Sequence, residues 1–337
     1  MTRASAVEIT SEALGVTVNP RVGGTITQVT HLDSGLSVLG KAPWDTVDAP
    51  IAGLAARDEP EWLTRFTGGW PLLFPNGGDA CSFGGIFHGF HGEASIAPWD
   101  FPAAADTIRL RRRFFSVPVE MERELTVEGD LLIVRERLKM DGIRPVEVMW
   151  GHHATFGSDL LAGPVEITTG AKCVTVDGGY DPAANPLVPG AQGDWPMATG
   201  KAGGIDLSKP VGPLAAMTYL HDFGKTRSER AWSAIRRLDG DIAAALSWDA
   251  TRFPCAWLWY ELGGAAEPPW HGRGRMIGIE PNTTRSGAGL ADAKARGTGL
   301  LTLEPGDELT AEVRLHVFEP SGRVDGVDAE GRATVGR

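Results

Sequence analysis

Residues 125–140, LTVEGDLLIVRERLKM, contain two β-prone runs joined by Glu128, Gly129 and Asp130. In the second run, Leu, Val and Met side chains alternate with Arg and Lys, which is the period of two expected of a half-buried strand. A Glu-Gly-Asp sequence between two such runs is typical of a tight turn. The stretch therefore predicts an antiparallel β-hairpin.

The same pattern recurs along the chain. Residues 309–318 alternate in the same way and follow a second turn, EPGDE, at residues 304–308. The 44 glycines and 23 prolines divide the chain into short segments rich in Val, Ile, Thr and aromatic residues, as strands are. The one helix candidate, residues 290–296, is too short for a crossover between parallel strands. We predict an all-β fold, a large antiparallel β-sandwich.

Domain organisation follows from the even composition. There is no internal repeat and no sharp compositional shift, so residues 1–337 are predicted to form a single domain, with a polar, glycine-rich tail after about residue 319. Two stretches interrupt the strand pattern, residues 43–71 and residues 176–213. Long loops of this kind carry function or pack over an opening in a compact scaffold.

Charge and cysteine content exclude several classes of protein. The net charge of −11 would repel a nucleic acid backbone, and the basic run at residues 111–113 is typical of a solvated or ion-paired strand face. Cys81, Cys173 and Cys255 are widely spaced and suggest neither disulfides nor a zinc site. No apolar stretch is long enough to cross a bilayer. We expect a cytoplasmic protein without nucleic acid or membrane partners.

Three segments set titratable residues among aromatics and glycines: residues 68–99, 149–157 and 257–283. Each alone also fits a histidine in a structural role. All three, however, have tryptophans close by, and aromatic faces pack against the C–H faces of sugars while His and carboxylate groups hold hydroxyls. Together they indicate a carbohydrate ligand.

In this order the segments resemble the aldose 1-epimerase family of the galactose mutarotase-like superfamily. The resemblance spans residues 68–318 and is carried by a set of motifs. They are GGWPLLFPN at residues 68–76, HGE and PW within residues 91–99, WGHHATFG at residues 150–157, WLWYELGG and IGIEPNT within residues 257–283, and LEPGDELTAEVRLHVF at residues 303–318. The resemblance implies a large antiparallel β-sandwich that interconverts the α- and β-anomers of a free sugar.

The resemblance also implies roles for individual residues. It assigns His153 as general acid, Glu280 as general base and His91 as the histidine that hydrogen-bonds the substrate near the ring oxygen. His88, in a similar His-Gly-Phe sequence, competes with His91 for that place. Further predicted sugar contacts are His88, Trp99, Glu261, Asn76 and Trp259. For Glu261, an ion pair with an arginine is an equal alternative.

The assigned chemistry needs one base and one acid. Opening a cyclic hemiacetal removes the proton of the C1 hydroxyl and delivers a proton to the ring oxygen. A carboxylate with its pKa raised by burial can do the first, and a histidine near its ordinary pKa of ~6.5 can do the second. No cofactor or metal is required, and the adjacent His152 and His153 would point to opposite faces of a strand, with His153 towards the sugar.

Two alternatives remain open from the sequence. The same fold could serve a non-catalytic sugar-binding or sensor protein, since fold does not fix function. It could also serve an epimerase of a phosphorylated or otherwise acidic sugar, which should bring several arginines to the pocket. Asp79 stands where related sequences often carry an arginine, and Arg273 and Arg275 are candidates to replace that charge.

Overall fold

The hairpin predicted from residues 125–140 is present. Strands Val119–Glu128 and Leu131–Met140 pair antiparallel, with Leu131 opposite Glu128 across the turn. Glu308–Phe318 pairs with the other edge of Leu131–Met140, which confirms the second predicted strand. The structure is a computed structural model that describes residues 6–46, 55–102, 107–224 and 230–336.

These strands belong to a seven-stranded antiparallel sheet. Its strands are, in order across the sheet, Val165–Thr169, Ala231–Arg237, Ala243–Trp248, Glu308–Phe318, Leu131–Met140, Val119–Glu128 and Ile108–Arg113. In its strands Val119–Glu128 and Leu131–Met140, Met121 and Leu138 are buried on one face and Arg135 and Arg137 are exposed on the other. The core face also holds a buried ion pair between Arg123 and Glu136, at 2.8 Å. The alternation that identified the strands thus also divides the sheet into a core face and a solvent face.

A second, eight-stranded sheet packs against the first. Its strands are, in order, Gln192–Asp194, Cys173–Val176, Leu214–His221, Cys255–Leu262, Arg275–Asn282, Gly151–His152 and Leu72–Leu73, with Thr155–Phe156 also paired to Arg275–Asn282. One apolar cluster contains Leu132, Val134 and Leu315 from the first sheet and Leu258 and Ile279 from the second. The two sheets therefore form a β-sandwich around a continuous core, which confirms the predicted fold class.

Smaller elements complete the fold. The N-terminal part forms a four-stranded sheet of Val7–Thr10, Leu14–Asn19, Thr25–His31 and Leu36–Ser37. Four two-stranded sheets pair Val146–Val148 with Leu301–Leu303, Met197–Gly200 with Gly203–Asp206, Cys81–Phe83 with Ile86–His88, and Val324–Val327 with Ala333–Val335. Within the described ranges, the α-helices are Glu59–Leu63 and Gly289–Arg296, and the 3-10 helices are Glu93–Ser95 and Ser158–Leu161.

The segment after Phe318 differs from the predicted polar tail. It forms the hairpin of Val324–Val327 and Ala333–Val335, and Val324 packs on Ala234 and Ala245 of the seven-stranded sheet. Few apolar residues are enough here because the sheet supplies most of the buried surface. The polar composition therefore concealed an ordered element.

The two predicted loops also contain regular structure. Residues 47–54 of the first loop lie outside the described residues, and its remainder contains the helix Glu59–Leu63. The second loop contributes Gln192–Asp194 to the eight-stranded sheet and forms a hairpin of Met197–Gly200 and Gly203–Asp206. No helix in the described ranges is long and apolar enough to span a membrane.

Candidate active site

The outer face of the eight-stranded sheet forms the floor of a cavity. In the register of Cys255–Leu262 with Arg275–Asn282, Trp257 lies opposite Glu280 and Trp259 lies opposite Gly278. Because side chains alternate along a strand, these residues face away from the core while Leu258 faces into it. Two neighbouring strands thereby place two tryptophans and a carboxylate on one surface.

The cavity has a volume of about 330 Å³, a size suited to a small-molecule ligand. Aromatic rings and titratable side chains make up most of its wall. Among the described residues that line it are Trp62, Phe66, Phe90, Tyr180, Trp257, Trp259 and Trp270, together with His91, His153, Glu59, Asp79, Asp177 and Glu280. This combination offers both flat apolar surfaces and hydrogen-bonding groups to a small-molecule ligand.

The helix Glu59–Leu63 covers one side of the cavity. Asp58 caps the helix by accepting a hydrogen bond from the Glu61 backbone N–H at 2.9 Å. Trp62 on this helix donates its indole N–H to Ser95 Oγ at 3.0 Å and stacks on Phe66 at a centroid distance of 4.6 Å. The first predicted loop therefore does pack over an opening, and it brings aromatic rings to it.

His153 and Glu280 meet at the bottom of the cavity. The distance from His153 Nδ1 to Glu280 Oε1 is 3.7 Å, and the residues are only 7% and 1% exposed. His153 Nδ1 has no hydrogen-bond partner within the described ranges. The backbone N–H of His153 donates to the Pro71 carbonyl at 2.9 Å, which fixes the position of the imidazole-bearing residue.

Burial favours the neutral form of both groups. Desolvation raises the pKa of Glu280 well above its ordinary value and lowers the pKa of His153 to about 4. The predicted near-ordinary pKa of His153 is therefore wrong. Its cause is the ring of aromatic neighbours, with Trp62, Phe66 and Trp259 centroids 5.7–5.8 Å from the imidazole.

His91 lies beside this pair. Its ring centroid is 5.0 Å from that of His153. Its backbone N–H donates to the Gly78 carbonyl and its Nδ1 accepts from the Gly78 backbone N–H, each at 2.9 Å. Burial lowers the pKa of His91 well below its ordinary value. Since Nδ1 is an acceptor in this neutral ring, the proton is on Nε2, which is free to donate.

His88 and Asn76 occupy positions outside the cavity lining. His88 is buried in the short hairpin of Cys81–Phe83 and Ile86–His88. The Asn76 amide donates to the carbonyls of Asp79 and Gly89, at 2.8 and 2.9 Å, and its oxygen accepts from the Leu290 N–H at 2.8 Å. Asn76 is thus used in holding the loop that carries His91, and His91 rather than His88 faces the cavity.

Trp99 and Glu261 also lie outside the lining. Trp99 is in the sandwich core, where its indole N–H donates to the Ala94 carbonyl at 3.2 Å. Glu261 accepts backbone hydrogen bonds from Gly263 at 3.1 Å and Ala265 at 3.0 Å. It therefore stabilises the turn after its strand, and within the described ranges no arginine forms an ion pair with it.

His152 points into the core, opposite to His153. It accepts a hydrogen bond from the Trp70 indole N–H at 3.1 Å, and Glu136 lies 3.6 Å from its Nε2. Burial lowers the pKa of His152 to about 4. In the described ranges, no group of three or more His, Cys, Asp or Glu residues is arranged to hold a metal ion.

A larger depression, of about 870 Å³, lies on the outer face of the seven-stranded sheet. It is lined by Arg and Glu side chains that pair with one another, such as Arg109 with Glu124 at 2.9 Å and Arg135 with Glu312 at 3.0 Å. Exposed pairs of this kind are typical of a solvated sheet surface. The chemistry of the molecule is therefore concentrated in the smaller cavity.

Several lining residues had no distinct sequence signal. Glu59, Asp177 and Tyr180 come from loops whose paths the periodicity of the strands does not determine. Trp62 and Phe66 belong to the first interrupting stretch, residues 43–71, and their position over the cavity follows only from the fold. The signal that could have identified them is the density of aromatic residues in a loop.

Several solved structures share this fold, a galactose mutarotase-like protein among them. A Synechocystis protein, Slr1438, is 17% identical with a TM-score of 0.65 over 94% of this chain and 97% of that one. A galactose mutarotase-like protein from Lactobacillus casei is 16% identical, with a TM-score of 0.63 over 93% of this chain and 99% of that one. An aldose epimerase homologue from C. elegans is 15% identical, with a TM-score of 0.61 over 93% of this chain and 98% of that one.

No protein-family profile matches the sequence, and no curated protein matches it. The structural neighbours confirm the recognised resemblance as one of fold: the chain adopts the galactose mutarotase-like β-sandwich. At identities of 15–17%, these likenesses show the fold alone, and fold does not fix function.

Proposed function

We propose that the protein is an aldose 1-epimerase that binds a free sugar in this cavity and interconverts its α- and β-anomers. The observation that carries the proposal is the buried pair of His153 and Glu280, with nitrogen and oxygen 3.7 Å apart. A carboxyl group and an imidazole at this distance can exchange protons with two oxygens of one small molecule.

The reaction removes one proton from the sugar and returns one to it, which a pair of one base and one acid can do. Ring opening takes a proton from the C1 hydroxyl and gives one to the ring oxygen O5, while the C1–O5 bond breaks and C1 becomes an aldehyde. Rotation about C1–C2 and attack of the O5 hydroxyl on the other face of the aldehyde close the ring. The reverse proton transfers restore the pair, so no net proton is consumed.

The roles of Glu280 as base and His153 as acid require the shared proton to be on the imidazole. The neutral pair and the ionised pair contain the same number of protons, and burial favours the neutral one. We infer that hydrogen bonds from sugar hydroxyls to the Glu280 carboxylate favour the ionised pair when substrate binds, because such bonds stabilise the charged form.

His91 supports the same step from a neighbouring position. Its Nε2–H, defined by the hydrogen bond from Gly78 to Nδ1, is placed to donate to a sugar oxygen. The aromatic rings of Trp62, Trp257 and Trp259 supply flat surfaces for the C–H faces of the ring. These features support a sugar over a more uniformly polar ligand.

The lining argues against an acidic sugar. In the part of the chain that the structure describes, no Arg or Lys lines the cavity, whereas Glu59, Asp79 and Asp177 do. Arg273 and Arg275, the candidates to replace a positive charge, lie outside the lining. A phosphate or carboxylate group on the substrate would therefore meet like charge instead of a basic partner.

A screen of anomer exchange tests the proposed function. Saturation-exchange NMR is recorded on a panel of uncharged, aminated, uronic and phosphorylated aldoses with and without the wild-type protein. We expect the exchange of at least one free aldose to accelerate. Calorimetric binding of a sugar with no acceleration for any member of the panel would instead support the non-catalytic binding protein.

A further inference from the structure

The mouth of the cavity carries two carboxylates for which the described part of the chain supplies no cationic partner. Glu59, at the start of the helix Glu59–Leu63, and Asp79, in the loop before Cys81–Phe83, both line the cavity and are exposed to solvent. Within the described ranges, neither side chain forms a hydrogen bond or an ion pair. This distinguishes them from Asp177.

Asp177, deeper in the wall, is already satisfied. Its carboxylate accepts from the backbone N–H groups of Gly179 and Tyr180, at 2.7 and 2.6 Å, and from the Tyr219 hydroxyl. It contributes fixed negative charge but has few lone pairs left for a ligand. Glu59 and Asp79 therefore remain the groups of the rim with free acceptor capacity.

The rim carboxylates are close enough to affect one another. Desolvation and then Asp79 raise the pKa of Glu59, and desolvation and then Asp177 raise the pKa of Asp79. Because both side chains are substantially exposed, water and salt screen this repulsion. The remaining effect is a negative potential over the entrance, with the same sign as the net charge of −11.

A separate observation shows that the cavity is built for a polar ligand. His153 is 7% exposed, faces into it, and its Nδ1 has no hydrogen-bond partner in the described part of the chain. A buried nitrogen of this kind is costly unless a ligand satisfies it. The rim and the unsatisfied imidazole belong to the same space.

We propose that Glu59 and Asp79 select the substrate by charge, so that the enzyme prefers an aldose bearing an ammonium group to its uncharged counterpart. This inference rests on the proposed function. An amino sugar would place one positive charge near two exposed carboxylates and donate hydrogen bonds to them, whereas an uncharged sugar would only exchange water for hydroxyl contacts.

The test is the ratio of kcat/KM for glucosamine to that for glucose, measured by NMR anomer exchange below the pKa of the sugar's amino group. In the Glu59→Gln/Asp79→Asn double variant we expect this ratio to fall about fivefold, the scale of a screened charge interaction. The control is Asp33→Asn, which removes an exposed carboxylate outside the cavity and should keep the wild-type ratio.

The dependence of the same ratio on salt concentration is a second test. For the wild-type protein, high ionic strength should lower the glucosamine-to-glucose ratio towards that of the double variant, because exposed charges are screened. An unchanged ratio in the double variant, or an equal fall in Asp33→Asn, would overturn the inference.

Calorimetry distinguishes failure of the charge selection from failure of the proposed catalytic function. If the wild-type protein exchanges no anomers, the dissociation constants of glucosamine and glucose are compared by calorimetry in the same three proteins. A preference for glucosamine that the double variant loses would retain the charge selection while the catalytic proposal fails. Equal affinities would overturn the charge selection as well.

Discussion

Gly278 leaves the space that the carboxylate of Glu280 occupies. A Cβ at position 278 would lie 2.2 Å from Glu280 Oε1, far inside van der Waals contact. The two residues lie on the same face of Arg275–Asn282, two positions apart, and Gly278 is opposite Trp259. A residue without a side chain is therefore part of the candidate active site.

The first prediction is that Gly278→Ala lowers the rate of the proposed anomerisation although it removes no functional group. The added methyl group displaces the carboxylate, and a misplacement of about 1 Å costs on the order of a hundredfold in rate. Polarimetry measures kcat. Gly15→Ala is the matched control, because its Cβ would meet its nearest neighbour, Leu32, at 3.4 Å, and it should retain wild-type kcat.

The second prediction separates the two candidate histidines. His91→Asn should lower kcat/KM about tenfold, the effect of one lost hydrogen bond to the substrate. His88→Asn should leave kcat/KM unchanged, because His88 does not line the cavity. Anomer exchange is measured for both variants once circular dichroism has shown them to be folded. A loss confined to His88→Asn would reverse the assignment.

The third prediction separates two tryptophans that look alike in the sequence. Trp259→Leu should raise KM roughly three- to tenfold through loss of an aromatic contact, with little change in kcat. Trp99→Leu should keep the wild-type KM but lower the free energy of unfolding by about 3 kcal/mol, since Trp99 is a core residue. Urea denaturation and steady-state kinetics together check both. A raised KM in Trp99→Leu would contradict the placement.

The fourth prediction concerns pH and stability. His153 has a pKa of about 4 in the folded protein, against about 6.5 when unfolded. Between these values the unfolded chain binds more protons, so the free energy of unfolding falls as pH is lowered, by about 3 kcal/mol for a shift of this size. His153→Asn should remove this part of the acid destabilisation.

Glu280 has the opposite effect, so the comparison is made in its absence. Its raised pKa makes the folded protein lose stability as pH rises above the ordinary carboxyl range. Urea unfolding of Glu280→Gln and Glu280→Gln/His153→Asn, at pH values from about 4 to about 6.5, isolates the histidine. Parallel pH profiles for the two proteins would show that His153 does not titrate as described.

The fold was predictable because strand periodicity is local. Leu131–Met140 alternates between core and solvent along its second half, and the turn at residues 128–130 sets its antiparallel partner. The hairpin after residue 319 was missed because its few apolar residues are buried by the adjacent sheet. Its stability comes from tertiary packing, which the local pattern does not contain.

The candidate site was predictable only in part. His153, Glu280, His91 and Trp259 do line one cavity, whereas Asn76 serves a loop. Asn76 and Trp99 stand in the same segment as His91, residues 68–99, so proximity in sequence could not distinguish residues that line the cavity from residues that support it. The low pKa of His153 depends on three rings from distant segments, which only the folded chain brings together.

The most direct test of the central claim is the anomerisation rate of Glu280→Gln, measured by polarimetry on the sugar that the wild-type protein exchanges fastest. The substitution keeps the side-chain shape and removes the group that exchanges protons, and general acid–base catalysis is worth about 10²- to 10⁴-fold. We expect a loss of kcat of that size in a protein that is at least as stable as wild type at neutral pH, since a buried carboxyl is replaced by a neutral amide. A folded Glu280→Gln protein that equilibrates the anomers at the wild-type rate would contradict the account.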